Sequence, residues 1–370
     1  MDKDHPIQVT KSFMPPLSEV TAILEGIWER AYLTNNGPVL QELERKLAEK
    51  NGVRGILAVL NGTIAIELAL AACGISNSEV ITTPFTFPAT STAIVRTGNR
   101  PVFVDIDPKT WNIDPDKVEA AITPETKAIL PVHVFSCPCE VELLQDIASR
   151  HHLKIIYDGA HANFVQRKGR SIFDYGDCST VSFHATKLFH TVEGGACFSP
   201  NSEIFEKIKS LRFFGYDDQK NLTDIGTNAK MTEVSAAVGL ANLKYIDMIL
   251  DRRRSLYECY LEQLRSCSEL TFQSFEPSEY NYSYFPILFR DEEQLLNVCK
   301  ILNDNNIFPR RYFWPLLNDM PAFCDARIAG QLTNASDISS RILCLPLYPD
   351  LNRDDVDLIC SLLISSLKYA

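Results

Sequence analysis

Hydrophobic residues recur at three- and four-residue spacing in two stretches near the start of the chain. These stretches are "EVTAILEGIWER" at 19–30 and "LQELERKLAEKNG" at 40–52. The spacing predicts two amphipathic helices, and Asn51-Gly52 is a typical helix end. The following stretch, "GILAVLNGTIAIELALAACG" at 55–74, is an apolar run that breaks at Asn61-Gly62-Thr63 and resumes with a helical period. It predicts a strand, a tight turn and a helix N-terminus in succession.

Strand-like and helical patterns then alternate along the chain. The expected strands are 79–84, 100–107, 126–134 and 154–161, and the expected helices are 88–98, 114–122 and 140–152. Because these strands are continuous apolar runs, we expect an α/β fold with a mostly parallel sheet covered by helices on both faces. The stretches 178–184 and 194–200 follow with shorter connections, which indicates that part of the sheet is antiparallel. In such a sheet the ligand binds at the carboxyl ends of the strands.

One helical period continues from residue 231 to residue 267, much longer than in an ordinary globular helix. We place a domain boundary along this predicted long helix. The prediction is a large domain at 1–245 and a smaller α+β C-terminal domain at 246–370.

Composition narrows the function classes. The 370 residues carry a net charge of -11, and the 36 basic residues are spread thinly, which disfavours a nucleic acid or a membrane surface as partner. No apolar run approaches the ~18 residues of a membrane span and no signal-peptide pattern is visible, so we expect a cytoplasmic protein. The 11 cysteines are irregularly spaced, which fits reduced thiols. Cys137 and Cys139 form a close pair, but no second cluster completes a metal site.

Three groups of reactive residues follow predicted strands of the same sheet: Asn61-Gly62-Thr63, Asp158 with His161, and Ser182 with Lys187. A turn that opens a helix offers free N–H groups to an anion such as a phosphate. A carboxylate at a buried strand end needs a cationic or hydrogen-bonding partner, and a protonated ring nitrogen is one. A buried lysine is used to form a Schiff base with a carbonyl group. Pyridoxal phosphate requires these three parts together.

Each part also has an ordinary structural interpretation. Asn-Gly-Thr before a helix is commonly a turn, an Asp at a strand end is commonly a helix cap, and a single Lys is usually a solvated side chain. The order and spacing of the three groups favour the functional interpretation.

Several longer motifs resemble one known family. They are "LTNNGP", "LERKLAEKNGV", "NGTIAIELAL", "PFTFPAT", "PVFVDIDP", "ILPVHVFSCPCE", "IIYDGAHA", "SFHATKLFHTVEGGA", "GTNAKMTEVSAAVG" and "LPLYPDLN", and together they span nearly the whole chain. The sequence is similar to the DegT/DnrJ/EryC1/StrS aminotransferases. That resemblance implies the aspartate-aminotransferase-like fold of fold type I enzymes, pyridoxal 5'-phosphate as cofactor and amination of nucleotide-linked keto sugars.

The resemblance also implies a role for each matching residue. Lys187 would bond to the cofactor and Asp158 would pair with its pyridinium nitrogen, while His161 would reach the ring hydroxyl. The remaining cofactor-binding positions would be Gly62, Thr63 and Ser182 at the phosphate, Phe87 stacked on the ring, and Asn228 reaching a phosphate across the interface of a homodimer with shared sites. Without the resemblance, Phe87 would be interpreted as a core phenylalanine. Gly194 and Gly195 would allow close packing behind the lysine.

The expected reaction transfers an amino group from L-glutamate to a nucleotide-linked 4-keto-6-deoxy sugar, with dTDP as the expected nucleotide, for an O-antigen or related lipopolysaccharide glycan. A 3-keto sugar aminotransferase and a non-catalytic regulator that binds the cofactor are the alternatives. Sugar 3-dehydratases of the family carry histidine in place of the lysine, and Lys187 counts against that activity. A nicotinamide oxidoreductase is disfavoured because no strand is followed by G-x-G-x-x-G. His184 and His190 are expected to be packing or loop histidines.

Overall fold

A computed structural model describes residues 6–368 of the chain. Residues 1–5 and 369–370, which the predicted domain ranges include, lie outside the described residues. The helices, in chain order, are α1 Leu17–Arg30, α2 Pro38–Asn51, α3 Gly62–Ala72, α4 Pro88–Arg96, α5 Pro115–Ala120, α6 Val141–His151, α7 Ser202–Leu211, α8 Glu233–Leu243, α9 Ile246–Leu264, α10 Glu292–Asp304, α11 Thr333–Arg341 and α12 Arg353–Lys368. None of the described helices combines the length and the hydrophobicity needed to span a bilayer.

The strands, again in chain order, are β1 Ile7–Gln8, β2 Leu57–Val59, β3 Glu79–Thr82, β4 Arg100–Phe103, β5 Thr126–Ile129, β6 Lys154–Asp158, β7 Gln166–Arg167, β8 Arg170–Ser171, β9 Cys178–Ser182, β10 Gly195–Phe198, β11 Thr271–Phe272, β12 Phe285–Leu288, β13 Ile307–Phe308, β14 Arg327–Ile328 and β15 Ile342–Leu345. They include a sheet of eight strands in the order β14-β4-β3-β5-β6-β9-β10-β2. From β14 to β9 neighbouring strands are parallel, and β10 runs antiparallel to both β9 and β2. The expected mostly parallel sheet with an antiparallel part is therefore confirmed.

The large sheet is buried on both faces. Ile155 and Ile156 are adjacent in β6, yet they belong to two different apolar clusters because successive side chains of a strand point to opposite faces. One cluster packs the sheet against α2, α6 and α8, and the other packs it against α3, α4 and α7. This two-sided burial is why the strands are continuous apolar runs in the sequence.

The predicted long helix is wrong in one respect, because the structure divides it into α8 and α9. Tyr245 has φ -103° and ψ 4°, and its N–H bonds to the carbonyl of Asn242 in a turn. The apolar spacing continues through the turn in the sequence because α8 and α9 each bury one face. Each helix belongs to the length class of ordinary globular helices.

The C-terminal part has its own apolar core and its own antiparallel sheet of β11, β12 and β15, with α9, α10 and α12 packed on it. Two short strands nevertheless cross the predicted boundary at residue 246. β1, from the start of the chain, pairs with β13, and β14 extends the large sheet beside β4. The division into 1–245 and 246–370 stays a prediction.

Candidate active site

The carboxyl ends of β2, β6 and β9 meet at one cavity of about 440 Å³. The residues that line it include all but one of the sequence-predicted site residues: Gly62, Thr63, Phe87, Asp158, His161, Ser182 and Lys187. Residues far apart in sequence meet here because parallel strands end at the same edge of a sheet. Asn228 is the exception.

Lys187 lies in the turn that follows β9, where its N–H bonds to the carbonyl of His184. The side chain is half-buried and its amine points into the cavity, 6.0 Å from the centre of the Tyr284 ring. Desolvation lowers the pKa of Lys187 to about 8, and the negative charge of Asp158 acts in the opposite direction. About a tenth of this amine is therefore neutral, and nucleophilic, at pH 7, far more than for an ordinary lysine.

Asp158 ends β6 as a buried carboxylate with both oxygens hydrogen-bonded. Oδ2 accepts from Thr90 Oγ1 at 2.8 Å, and Oδ1 accepts from the N–H of Ala160 at 3.0 Å. Burial raises the pKa of Asp158, while these two bonds and the charge of Lys187 lower it. The helix-cap interpretation is not supported, since these bonds come from a side chain on another helix and from a loop N–H.

His161 is a neutral imidazole whose tautomer follows from one contact. Its Nδ1 accepts a hydrogen bond from the N–H of Phe135 at 3.3 Å, so the proton is on Nε2. Burial and the nearby Lys187 charge hold the pKa of His161 well below its ordinary value. The ring lies nearly parallel to those of Phe135 and Phe313, at interplanar angles of 4° to both. This packing presents Nε2–H as a fixed donor.

The turn at Asn61 forms a cradle for an anion. Asn61 Oδ1 caps α3 by accepting from the N–H of Ile64 at 2.9 Å, and no carbonyl of the described residues takes the N–H groups of Gly62 and Thr63. These donors lie at the positive end of the helix dipole. A Cβ on Gly62 would lie 3.0 Å from the Cβ of Ser182, so the Ser182 hydroxyl closes the cradle.

The glycine pair behind the lysine packs closely, as expected. A Cβ on Gly195 would lie 2.5 Å from the carbonyl carbon of Asn61, and one on Gly194 would lie 2.0 Å from Thr191 Oγ1. Both positions exclude a side chain. The backbone of Gly195 therefore packs directly against the Asn61 turn that forms the cradle.

Phe87 is not a core residue, because its side chain is 55% exposed at the rim of the cavity. It occupies the N-cap position of α4, and Pro88 begins the helix. An exposed aromatic ring beside a cavity is available to a flat ligand.

Asn228 is exposed and does not line the cavity of its own chain. Its Oδ1 accepts from Lys230 Nζ at 2.5 Å, and the Lys230 ammonium also lies over the rings of Phe213 and Phe214 at 4.6 and 4.9 Å. Because an ammonium only donates, the amide of Asn228 turns its N–H groups away from Lys230.

The two histidines near Lys187 differ in environment. His190 is a packing residue, buried against the carbonyl of Phe13 at 2.8 Å and contacted by Asn242. His184 lines the cavity from the loop, with Nδ1 at 2.8 Å from Thr186 Oγ1.

The C-terminal part supplies side chains that sequence reasoning missed or set aside. Tyr284 and Phe313 line the cavity, and Arg310 and Tyr312 approach it from the same side. Arg310 and Tyr312 belong to "PRRYFWPL", and a basic pair beside a proline-bounded turn is typical of a solvated surface. Tyr284 and Phe313 gave no signal, because an aromatic residue in a strand or turn is typical of a core. Among residues 6–368, no cluster of three potential metal ligands occurs.

Comparison with known proteins identifies the family. The model of the DegT/DnrJ/EryC1/StrS aminotransferase family matches residues 17–364. The chain belongs to this family. Its members use pyridoxal 5'-phosphate, so this chain is an aminotransferase of that cofactor class. The cavity fits the cofactor, because it brings together an anion cradle, a buried carboxylate and a lysine whose lowered pKa favours the neutral amine.

The relatives cover the chain almost end to end. It is 44% identical over 364 residues to a dTDP-4-amino-4,6-dideoxy-D-glucose transaminase of Shigella dysenteriae, covering 97% of this chain and 98% of that one. An Escherichia coli protein of the same name is 42% identical over 373 residues, covering 98% of this chain and all of its own. The crystal structure of DesI in the presence of its TDP-sugar product matches with a TM-score of 0.93 at 31% identity, covering 99% of this chain and 94% of that one. The fold-type-I aminotransferase fold is confirmed.

Proposed function

We propose that this enzyme transfers an amino group from L-glutamate to C4 of a dTDP-linked 4-keto-6-deoxy sugar and forms the 4-amino-4,6-dideoxy sugar. The observation that supports the reaction type is the position of the Lys187 amine, which shares one cavity with the Asp158 carboxylate and the α3 cradle. The near-complete match to two transaminases that carry the same name supports the sugar and its carrier. We place the reaction in the cytoplasm, in the synthesis of an O-antigen or related lipopolysaccharide glycan.

The cradle binds the phosphate of the cofactor. The N–H groups of Gly62 and Thr63 and the hydroxyls of Thr63 and Ser182 are the donors, and the dipole of α3 adds a favourable field. Asn61 keeps its own side chain on the N–H of Ile64, so it leaves the first two N–H groups to the ligand.

Asp158 and His161 orient the ring. Asp158 would accept a hydrogen bond from the protonated ring nitrogen, and His161 would donate its Nε2–H to the ring oxygen. When bound, pyridoxal 5'-phosphate supplies the electron sink for the negative charge that develops at the substrate carbon. Phe87 lines the rim of the cavity and would cover one face of the ring.

Lys187 has two tasks. Its amine would hold the cofactor through the aldehyde carbon. As a free amine it would take the proton from Cα of glutamate in the first half-reaction and return a proton to C4 of the sugar in the second. A pKa near 8 suits both directions, because a proton carrier works best when its pKa is near the working pH.

We further propose a homodimer with shared sites. Asn228 is exposed, and the segment around it displays large apolar side chains, namely Leu60, Phe214, Tyr216, Leu222 and Ile225. Ile225 is 92% exposed, which is unusual for an isoleucine that has no covering partner. Leu60 joins this surface because its N–H bonds to the carbonyl of Ala229. A second copy that covers the surface would bring Asn228 to the phosphate of the neighbouring cavity.

The test is a substrate panel. Purified enzyme is given L-glutamate and either 4-keto-6-deoxy or 3-keto sugars on dTDP, UDP and GDP, and the products are identified by NMR. The proposal requires a 4-amino product, formed most efficiently with dTDP. Amination of 3-keto sugars alone overturns the assignment to C4. Cofactor binding without turnover of any sugar in the panel would support the alternative of a non-catalytic regulator.

A further inference from the structure

The buried carboxylate Asp158 has a partner that the cofactor-binding positions do not include. Thr90 is fully buried in the first turn of α4, and its Oγ1 donates to Asp158 Oδ2 at 2.8 Å. The two residues are 68 positions apart in sequence, so only the fold brings them together. Because an ionised carboxylate only accepts, the hydroxyl proton of Thr90 is committed to Asp158.

A second hydroxyl fixes the polarity of this contact. Thr86 Oγ1 lies 2.9 Å from Thr90 Oγ1, and both threonines are buried. Since the proton of Thr90 points to Asp158, Thr86 is the donor and Thr90 the acceptor between them. The hydroxyls form a directed chain from Thr86 through Thr90 to Asp158, and each bond polarises the next.

The remaining contacts of Asp158 are a loop N–H and one charge. Ala160 donates its N–H to Oδ1, and Lys187 is the cation that faces the carboxylate from the turn after β9, with the neutral His161 beside it. Burial favours the protonated acid, and Thr90 acts against burial by binding the ionised form. Losing this bond therefore favours protonation and frees the carboxylate to rotate.

We propose that Thr90, polarised by Thr86, is a positioning residue that keeps Asp158 ionised and aimed at the ring nitrogen of the cofactor. The proposal rests on the proposed function of the cavity. Phe87 is the N-cap residue of the same turn of α4. One turn of backbone therefore positions both the aromatic side chain at the rim of the cavity and the threonine that orients Asp158.

The test compares two cofactors on cofactor-free protein. One is pyridoxal 5'-phosphate, and the other is its 1-deaza analogue, which has C–H in place of the ring nitrogen. Thr90→Val keeps the shape of the side chain and removes the hydroxyl, while Thr90→Ser keeps the hydroxyl and is the matched control. Dissociation constants are measured by absorbance titration, and thermal unfolding of each cofactor-free variant is recorded beside them.

We expect Thr90→Val to weaken binding of pyridoxal 5'-phosphate about tenfold, the scale of a lost hydrogen bond to a charged group. The deaza analogue has no nitrogen for Asp158 to hold, so its affinity should be unchanged by the substitution. Thr90→Ser should bind both like the wild type. Thr86→Val, which removes only the polarising donor, should weaken pyridoxal 5'-phosphate about two- to threefold.

An equal loss for both cofactors would show that Thr90 only supports the fold, and no loss for either would show that it does nothing for the site; both results overturn the inference. If Thr90→Val does not fold, Thr86→Val carries the same comparison. Failure of the wild type to bind either cofactor would overturn the proposed function itself, a result distinct from the other two.

Discussion

The side-chain amide of Asn281 donates to the backbone carbonyl of His161 across 2.8 Å. The same amide donates to the carbonyl of Asn163, and Ser283 Oγ adds a second donor to His161 at 3.0 Å. The segment that precedes β12 thus holds the loop that carries His161. Tyr284, the next residue in this segment, lines the cavity beside Lys187.

Removing this anchor should destabilise the protein. Asn281→Ala leaves the buried carbonyl of Asn163 without its donor and takes one of two donors from the carbonyl of His161, so we expect the free energy of unfolding to fall by about 2 kcal/mol. Urea unfolding of the cofactor-free protein measures it. Ser278→Ala, an exposed hydroxyl in the same segment, is the control and should change it by less than about 0.5 kcal/mol. Equal effects of the two substitutions would contradict the anchor.

The close contact between Gly195 and the Asn61 turn leads to a second prediction. Gly195→Ala places a Cβ against the carbonyl of Asn61, and the crowding must move the turn that holds the phosphate. We expect cofactor affinity to fall at least about tenfold, with a loss of about 1–3 kcal/mol in unfolding free energy.

Gly26→Ala in α1 is the matched control, because a Cβ there meets only the flexible end of Arg30 and alanine favours a helix. Isothermal titration with pyridoxal 5'-phosphate compares both variants with the wild type. Unchanged affinity in Gly195→Ala would show that the cradle does not depend on this contact.

The lowered pKa of Lys187 makes capture of the cofactor dependent on pH. Only the neutral amine attacks an aldehyde, so the rate of covalent capture by cofactor-free protein should rise with pH and level off above a pH of about 8. Asp158 raises the pKa of Lys187, so Asp158→Asn should move the whole rise to lower pH. Stopped-flow absorbance measures the rate. A rise centred near the ordinary lysine value of 10.5 would contradict the desolvated environment.

Shared sites predict rescue between two inactive variants. Lys187→Ala lacks the reactive amine, and Asn228→Asp puts a negative charge where the neighbouring phosphate is expected. In a mixed dimer one cavity combines an intact Lys187 with an intact Asn228 from the other copy. Equal mixing with exchange of subunits should therefore restore about a quarter of wild-type activity. A mixture no more active than its parts would contradict the exchange of Asn228 between copies.

The sequence predicted those elements that carry their own local pattern. β2, the turn at Asn61 and α3 were expected in order, and Asp158, Ser182 and Lys187 were expected at strand ends, because alternation of buried strands and helices fixes where strands end. The short strands β1, β13 and β14 were missed, since two residues have no period to detect.

Contacts that exist only in three dimensions were also missed. In the sequence, nothing distinguishes Thr90 from any other threonine in an apolar helix, and only the fold brings it into contact with Asp158. Tyr284 likewise reaches Lys187 only through the packing of the C-terminal part. Phe87 illustrates the reverse case, because its hydrophobicity indicated a core position and the structure leaves it exposed at the cavity rim. Such positions are decided by long-range packing.

Mass spectrometry can test directly whether Lys187 is the residue that bonds to the cofactor. Protein loaded with pyridoxal 5'-phosphate is reduced with borohydride, digested and sequenced by tandem mass spectrometry. We expect one phosphopyridoxyl group, on Lys187, and none in Lys187→Ala. Lys127 is an exposed lysine on β5, and Lys127→Ala should label like the wild type. A label on another lysine, or no label on the wild type, would contradict it.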